Sequence, residues 1–467
     1  MLGLYTKQLK QINVKLITLS IFLGVLGGIT AIYFPMVTIG VVVGVIASII
    51  YLKKVEFWTT TLISVFLFLK FPIVWIFKSD SISLVASNIS MVLMGLTVVT
   101  LLVRRKIKKN EEMAHLWFLL SLLLFYSLGL IVYYVILSKT THLIVQLAGL
   151  YYLMYFVVPF IFSYVFVNRK RFELILKLIV WFGLINSVLS IIQATTMGGY
   201  LQYIPEYSTE VPNSLYTRIG GLLTVRSIGL FNDPNLLGGF LVIFLLTILW
   251  TNTKRNIITN FVLFPLGFLG LLFTYSRSSM IAFVIGLLVF VFIRKMYKTI
   301  LLGISVAILF SAVAFEKILS FMSLSNGSAE YHKEDLIIGF LGLFEHPFGI
   351  GIGHAGILAT SSWVSNVTSN LSLGSETGFF AISLQIGIIG SVLFFSFHAC
   401  VLFKLRKMYQ KAQENRFIGL GISLMVSFLT LHLFLPVYNQ ATTVCLVMII
   451  SGYLVKSNSP LSATSKV

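Results

Sequence analysis

Acidic side chains are scarce in this chain. Only 15 Asp and Glu stand against 34 Lys and Arg in 467 residues, and charged residues make up 10% of the total. A soluble protein of this length needs a solvated charged shell, so no soluble domain is expected. Cysteine is nearly absent as well. Cys400 and Cys445 both fall in apolar segments, which excludes a disulfide framework. Internal repeats, low-complexity tracts and polar linkers are also lacking, so residues 1–467 read as a single integral membrane domain.

What is abundant is apolar surface: 58% of the residues are hydrophobic and the mean hydropathy is +0.97. Runs long enough to span a bilayer, about 20 residues each, fall near 14–34, 36–52, 57–77, 82–103, 114–137, 143–167, 173–195, 234–250, 257–275, 278–293, 299–315, 378–403, 417–435 and 438–455. They predict an all-α polytopic protein with about 12–14 transmembrane helices. The basic residues before the first run (Lys7, Lys10, Lys15) precede many further spans, so that run reads as a membrane helix and not as a cleaved signal.

The net charge of +19 is sorted along the chain. Alternate connections carry Lys53-Lys54, the run Arg104–Lys109, Arg169-Lys170-Arg171, Lys254-Arg255, Arg294-Lys295 and Lys404 to Arg416. The remaining connections hold Lys78, Lys139, Arg218, Arg226, Arg277, Lys317 and Lys333, and Lys70 lies within a span. This asymmetry is the positive-inside pattern, so the excess charge reports topology and no nucleic acid partner is expected. It places both termini on the cytoplasmic side of a multi-pass cell membrane protein. Two long connections, 196–232 and 316–377, then face outward, and the chemistry is expected there.

The first loop leads into RSIGLFNDPNLLGG, from Arg226 to Gly239. Charged groups beside an apolar span are costly, roughly 2.5–3.5 kcal/mol for Arg or Asp near the middle of a helix. Asp233-Pro234 reads as a helix start, with Asp as N-cap and Pro at the first helical position. Arg226 to Asn232 then approach as irregular backbone, which survives near a membrane only against protein or water. Arg218 flanks the Gly220-Gly221 pair, and Arg277 sits in TYSRSS between two short spans. Arginine offers a planar, always-charged fork suited to diphosphate oxygens. The alternative for each is a border residue reaching phospholipid head groups.

The second loop contains SAEYHKEDLIIGFLGLFEHPFGIGIGHAG, then SETGFF. Asp335 to Phe344 reads as an amphipathic helix lying along the membrane. His332, His346 and His354 and several carboxylates lie here, either as solvated loop surface or as a general base. Their spacing matches no zinc motif, so no metal is expected. Gly349–Gly356 lacks the strand and helix of a dinucleotide fingerprint and reads as a flexible loop or a close backbone turn. Glu376 precedes a span. A partly desolvated carboxylate there would tend to a raised pKa and could take a proton from a sugar hydroxyl; otherwise it is a favourable charge at a helix start.

In order, RSIGLFNDPNLLGGFL, FTYSRSSMIAFVIG, the long loop with HPFGIGIG, and SETGFFAISLQIGIIG resemble the O-antigen polymerase and ligase superfamily of bacterial membrane glycosyltransferases (Wzy-type polymerases and WaaL-type ligases). The resemblance covers roughly Arg218 to Gly390; the first half matches only as a string of helices. It implies a GT-C-like fold and an outward-facing site acting on undecaprenyl-diphosphate-linked glycans as donor and acceptor, in contact with membrane lipids and without a cofactor. It further implies diphosphate binding by Arg226 and Arg277, with Arg218, supported by Asp233, Asn235 and Ser276. Glu376, or His332, would act on the acceptor hydroxyl. A glutamate at Glu376, where ligases carry a histidine, is similar to capsule and exopolysaccharide polymerases. Such systems imply a chain-length regulator and a flippase as partners. A ligase moving finished glycan to another acceptor and a lipid-linked oligosaccharide flippase are the alternatives.

Overall fold

The computed structural model describes residues 94, 114–137, 143–196, 216–219, 222–231, 233–251, 262–296, 327–355, 377–411, 415–435 and 441–457. The chain divides into two compact units, Met1–Met94 and Gly95–Val467, and the elements below belong to the second. The spans expected at 14–34, 36–52, 57–77, 82–103 (Met94 apart) and 299–315 lie outside the described residues, as does Glu376.

Helices α1 (Ala114–Val132, continued by a π-turn Tyr133–Leu137), α2 (Leu143–Phe166) and α3 (Arg169–Thr195) come first. A hairpin follows, β1 (Tyr216–Ile219) against β2 (Leu222–Val225), antiparallel with Ile219 opposite Leu222. Then come α4 (Pro234–Thr251), α5 (Phe264–Phe273), α6 (Arg277–Arg294), α7 (Gly327–Glu345), α8 (Gly378–Lys411), α9 (Arg416–Phe434) and α10 (Ala441–Ser457). Seven of the described helices are long and apolar enough to cross a membrane, which makes this a multi-pass helical membrane protein. The hairpin is a local addition to a helical fold. Its Tyr, Ile, Leu and Val residues around a Gly-Gly pair are a strand signal inside a segment read only as loop.

Helix α4 is the centre of the bundle, buried along nearly its whole length and packed by α3, α5, α6 and α9. A helix that is apolar all round belongs in such a place. Glycines let its large side chains lie against neighbouring backbones. A Cβ on Gly183 of α3 would fall 2.2 Å from the Phe244 ring, and one on Gly419 of α9 would fall 2.1 Å from Trp250. Trp250 donates its indole N–H to Ser423 Oγ of α9 at 3.0 Å, and the Arg294 guanidinium of α6 lies over its ring. Asn168 and Asn415 cap α3 and α9 through their side-chain oxygens, at 3.0 Å to Arg171 N and 3.2 Å to Phe417 N.

The span expected at 378–403 is not one continuous helix. The rings of Phe379 and Phe395 stack with centroids 4.7 Å apart. Residues 16 apart along a straight α-helix would be separated by about 24 Å. The chain therefore folds back at Gly387 (φ +67°), dividing α8 into a short α8a (378–386) and a long α8b (388–411). A Cβ at Gly387 would lie 2.4 Å from the Phe348 carbonyl carbon, so the reversal needs glycine on both conformational and steric grounds. Helix α5 is described over 10 residues and turns directly into α6 through Tyr275 (φ +49°).

The amphipathic helix expected at Asp335 to Phe344 is the second half of α7. Gly339 packs on Phe380 of α8a, while Ile337, Leu341 and Phe344 are exposed.

Candidate functional site

The segment from Arg226 to Phe231 has no regular structure, as expected, and is held by hydrogen bonds to α3 and to the end of α5. Helix α3 carries Asn186, Ser190 and Gln193 on one face, each fully buried. Asn186 Oδ1 accepts from Leu230 N at 2.8 Å. Gln193 Oε1 accepts from Ile228 N at 2.7 Å and Gly229 N at 3.0 Å, and its Nε2 donates to Gly229 O at 3.3 Å. Ser227 donates its hydroxyl to Ser190 O at 2.7 Å and its N–H to Phe273 O at 2.9 Å. Gly229 adopts φ +56°, and a Cβ there would sit 2.6 Å from Asn186 Oδ1. The backbone N–H groups of Ser227 through Phe231 each have a partner, Phe231 N donating to Ile228 O at 2.9 Å.

Sequence reasoning missed this clamp. Its signal was legible: polar residues at 186, 190 and 193 recur at helical spacing inside an otherwise apolar run.

Arg226 leaves this loop half-buried. Its Nε donates to Thr274 O at 3.2 Å and its Nη2 to Asn235 Oδ1 at 3.0 Å. Both acceptors are neutral. Asp233 acts as the helix cap: its Oδ1 accepts from Asn235 N at 2.7 Å and Leu236 N at 3.1 Å, and Pro234 opens α4 as expected. Burial lowers the pKa of Arg226, the Asp233 charge raises it and the Arg277 charge lowers it again. Arginine starts so high that the group stays cationic at neutral pH. Two guanidinium groups therefore stand close enough to repel each other, with two of the five N–H donors of Arg226 engaged by the described residues.

Arg277 is the first residue of α6, beside the start of α4. Arg226 bonds Asn235 in the first turn of α4 and Thr274 just before α6, so the starts of both helices lie beside it, that of α4 capped by Asp233. Ser276 makes no side-chain cap bond to α6. It is buried, its hydroxyl lies 2.9 Å from Ser279 Oγ, and a Cβ on Gly238 of α4 would meet both serine side chains. It joins α6 to α4 and so seats Arg277.

The structure thus brings together Arg226, Asp233, Asn235, Ser276 and Arg277. Arg218 is on β1, opposite Leu223, on the hairpin that runs into Arg226. His332 is on α7. Among the described residues no three His, Cys, Asp or Glu side chains converge in the manner of metal ligands.

The glycine-rich loop is a close backbone turn rather than a flexible one. Gly349, Gly351 and Gly353 all have positive φ. Ile352 N donates to Gln146 Oε1 of α2 at 2.9 Å, Gly353 N to Gln385 Oε1 of α8a at 2.8 Å, and Ile350 N to Leu384 O at 2.8 Å; Tyr134 of α1 donates its hydroxyl to Gly349 O. His354 is buried in it. A second unforeseen feature is the pair His398 of α8b and His432 of α9, both buried among Phe156, Phe394 and Phe428. A single histidine in an apolar run carries no spacing signal.

Comparison with protein-family models and with curated proteins finds no match to this chain.

Proposed function

We propose that the protein is a membrane glycosyltransferase that polymerises undecaprenyl-diphosphate-linked repeat units at the outer face of the cell membrane. The observation that supports this is Arg226: a partly buried guanidinium whose hydrogen-bond acceptors are neutral, at the starts of α4 and α6, with Arg277 and one carboxylate, Asp233, as its charged neighbours. Such a place is suited to a multiply charged anion. Its position at the border of apolar helices suits an anion attached to a lipid.

In this reading the donor's diphosphate lies across Arg226 and Arg277. The acceptor hydroxyl oxygen attacks the anomeric carbon. The bond from that carbon to the diphosphate oxygen breaks, its electron pair goes to the diphosphate, and the hydroxyl proton passes to a base, for which Glu376 and His332 remain the proposed groups. A single displacement inverts the anomeric centre. The arginines stabilise charge as it develops on the leaving group. A GT-C-like arrangement, the capsular or exopolysaccharide product and the outward-facing site belong to the same proposal.

The test uses purified full-length protein in lipid with a defined undecaprenyl-diphosphate repeat unit, with products resolved on a gel. A ladder of lipid-linked oligomers that disappears in Arg226→Ala and Arg277→Ala supports the polymerase. Transfer of a single unit, only when a separate acceptor is supplied, turns the assignment to the ligase, which would share the donor site. A full ladder from correctly inserted Arg277→Ala protein defeats the arginine mechanism.

A further inference from the structure

The clamp on α3 does more than satisfy a stretch of backbone. Gln193 applies both ends of its amide to consecutive residues: Oε1 takes two N–H groups, of Ile228 and Gly229, and Nε2 returns a bond to Gly229 O. The amide orientation follows from the network, because both N–H groups facing Oε1 are donors and need an acceptor. These residues begin two positions after Arg226. The same helix also holds the other wall of the site. Ser190 Oγ donates to Gly270 O of α5 at 3.1 Å, and α5 ends shortly before Arg277. Ser227, the residue joining Arg226 to the clamped stretch, bonds to both α3 and the end of α5. Helix α3 therefore sets where Arg226 stands relative to Arg277.

We propose that Gln193 is a positioning residue for the anion site, a neutral clamp on Ile228 and Gly229 that aims the Arg226 guanidinium without neutralising it. The proposal rests on the anion-binding reading above. No other side chain serves as well. Asparagine is one methylene shorter, and leucine leaves two buried N–H groups unpaired. Glutamate at this buried place has its pKa pushed up; ionised, it keeps the double acceptor, loses the donor to Gly229 O and brings a negative charge that competes with any ligand. The electrical neutrality of the clamp is thus part of its role.

The experiment uses full-length protein in lipid nanodiscs with inorganic pyrophosphate as the probe. Affinity is read by calorimetry. The reactivity of Arg226 and Arg277 towards phenylglyoxal is read separately by peptide mass spectrometry. In the wild type, pyrophosphate binds and protects both arginines. Gln193→Ala should let Arg226 react several-fold faster without anion and leave Arg277 unchanged, a selectivity that general loosening would not give. Gln193→Glu should bind pyrophosphate much as the wild type does where burial keeps the carboxyl protonated, and at least tenfold more weakly than the wild type once the pH is high enough to ionise it. If both variants bind pyrophosphate as the wild type does at every pH, and Arg226 labels at its original rate while Arg226→Ala protein fails to bind, the positioning role is wrong and the anion site stands. If the wild type neither binds pyrophosphate nor shows protection, the anion site itself is wrong, and this inference falls with it.

Discussion

Arg226 and Arg277 repel one another, and the fold accepts that cost at a place where the described partners of Arg226 are a carbonyl and a carboxamide. This predicts a pH signature. Arginine keeps its proton from about pH 8 to 10, so any change in wild-type binding across that range reports the last ionisation of pyrophosphate and serves as the reference. A lysine put in the same place by Arg226→Lys starts from about 10.4; burial, the largest influence there, and Arg277 push it down, while Asp233 opposes them. A cation with a lowered pKa loses its charge as pH rises through that value, so binding by the variant should fall relative to the wild type across the same range. Calorimetry of both proteins at three pH values checks this; a variant profile parallel to that of the wild type would show that the site is more solvated than its geometry indicates. Gly229→Ala is the second test at this scale. It forces a Cβ onto Asn186 Oδ1 at a positive φ, and should lower stability by about 1–3 kcal/mol. Thermal unfolding in lipid measures it.

At the scale of elements, the reversal of α8 at Gly387 and the turn at Tyr275 do comparable work. The first divides one apolar run beside the glycine-rich loop, and the second joins α5 to α6 at the polar border TYSRSS, where Arg277 stands. Gly387→Ala should destabilise the packing of the glycine-rich loop, because the new methyl would lie 2.4–2.5 Å from backbone atoms of Phe348 and Gly349. Increased proteolysis between Pro347 and Ala355, with α4 and α9 left protected, is the expected result; unchanged protection would mean that the hairpin can shift as a unit. The helix starts were legible from local chemistry. Asp233-Pro234 caps α4 as its residue types require, and Arg277 opens α6 within one residue of the expected span. The α8 reversal was not legible, because GFFAISLQIGIIG has the hydropathy of an ordinary span. Hydropathy records which solvent a segment prefers and does not record where it turns.

For the whole molecule, charge asymmetry sets the expected sidedness. Glu345, at the end of α7, and Lys411, at the end of α8b, are both exposed and fall on opposite sides in that topology. With Cys400 and Cys445 replaced, a membrane-impermeant thiol reagent should label Glu345→Cys in intact cells and Lys411→Cys only after permeabilisation. The reverse pattern would invert the topology and remove the outward-facing site.

Composition and periodicity alone were enough to establish a helical membrane protein, to place its spans near 114–137, 143–167, 173–195, 234–250, 278–293 and 417–435, and to mark Arg226, Asp233 and Arg277 as unusual. The reason is energetic: a charged group beside hydrocarbon costs so much that its presence is informative without any neighbour. Only the tertiary structure decided that Asn186, Ser190 and Gln193 hold the Arg226 loop, that α8 folds back on itself, and that the glycine-rich loop is seated between α2 and α8a. The spacing of residues 186, 190 and 193 marks a polar face on α3, but it does not name the partners of hydrogen bonds that span 35 or 206 positions. They exist because irregular backbone within a bundle must be satisfied by whichever polar side chains the packing brings within reach.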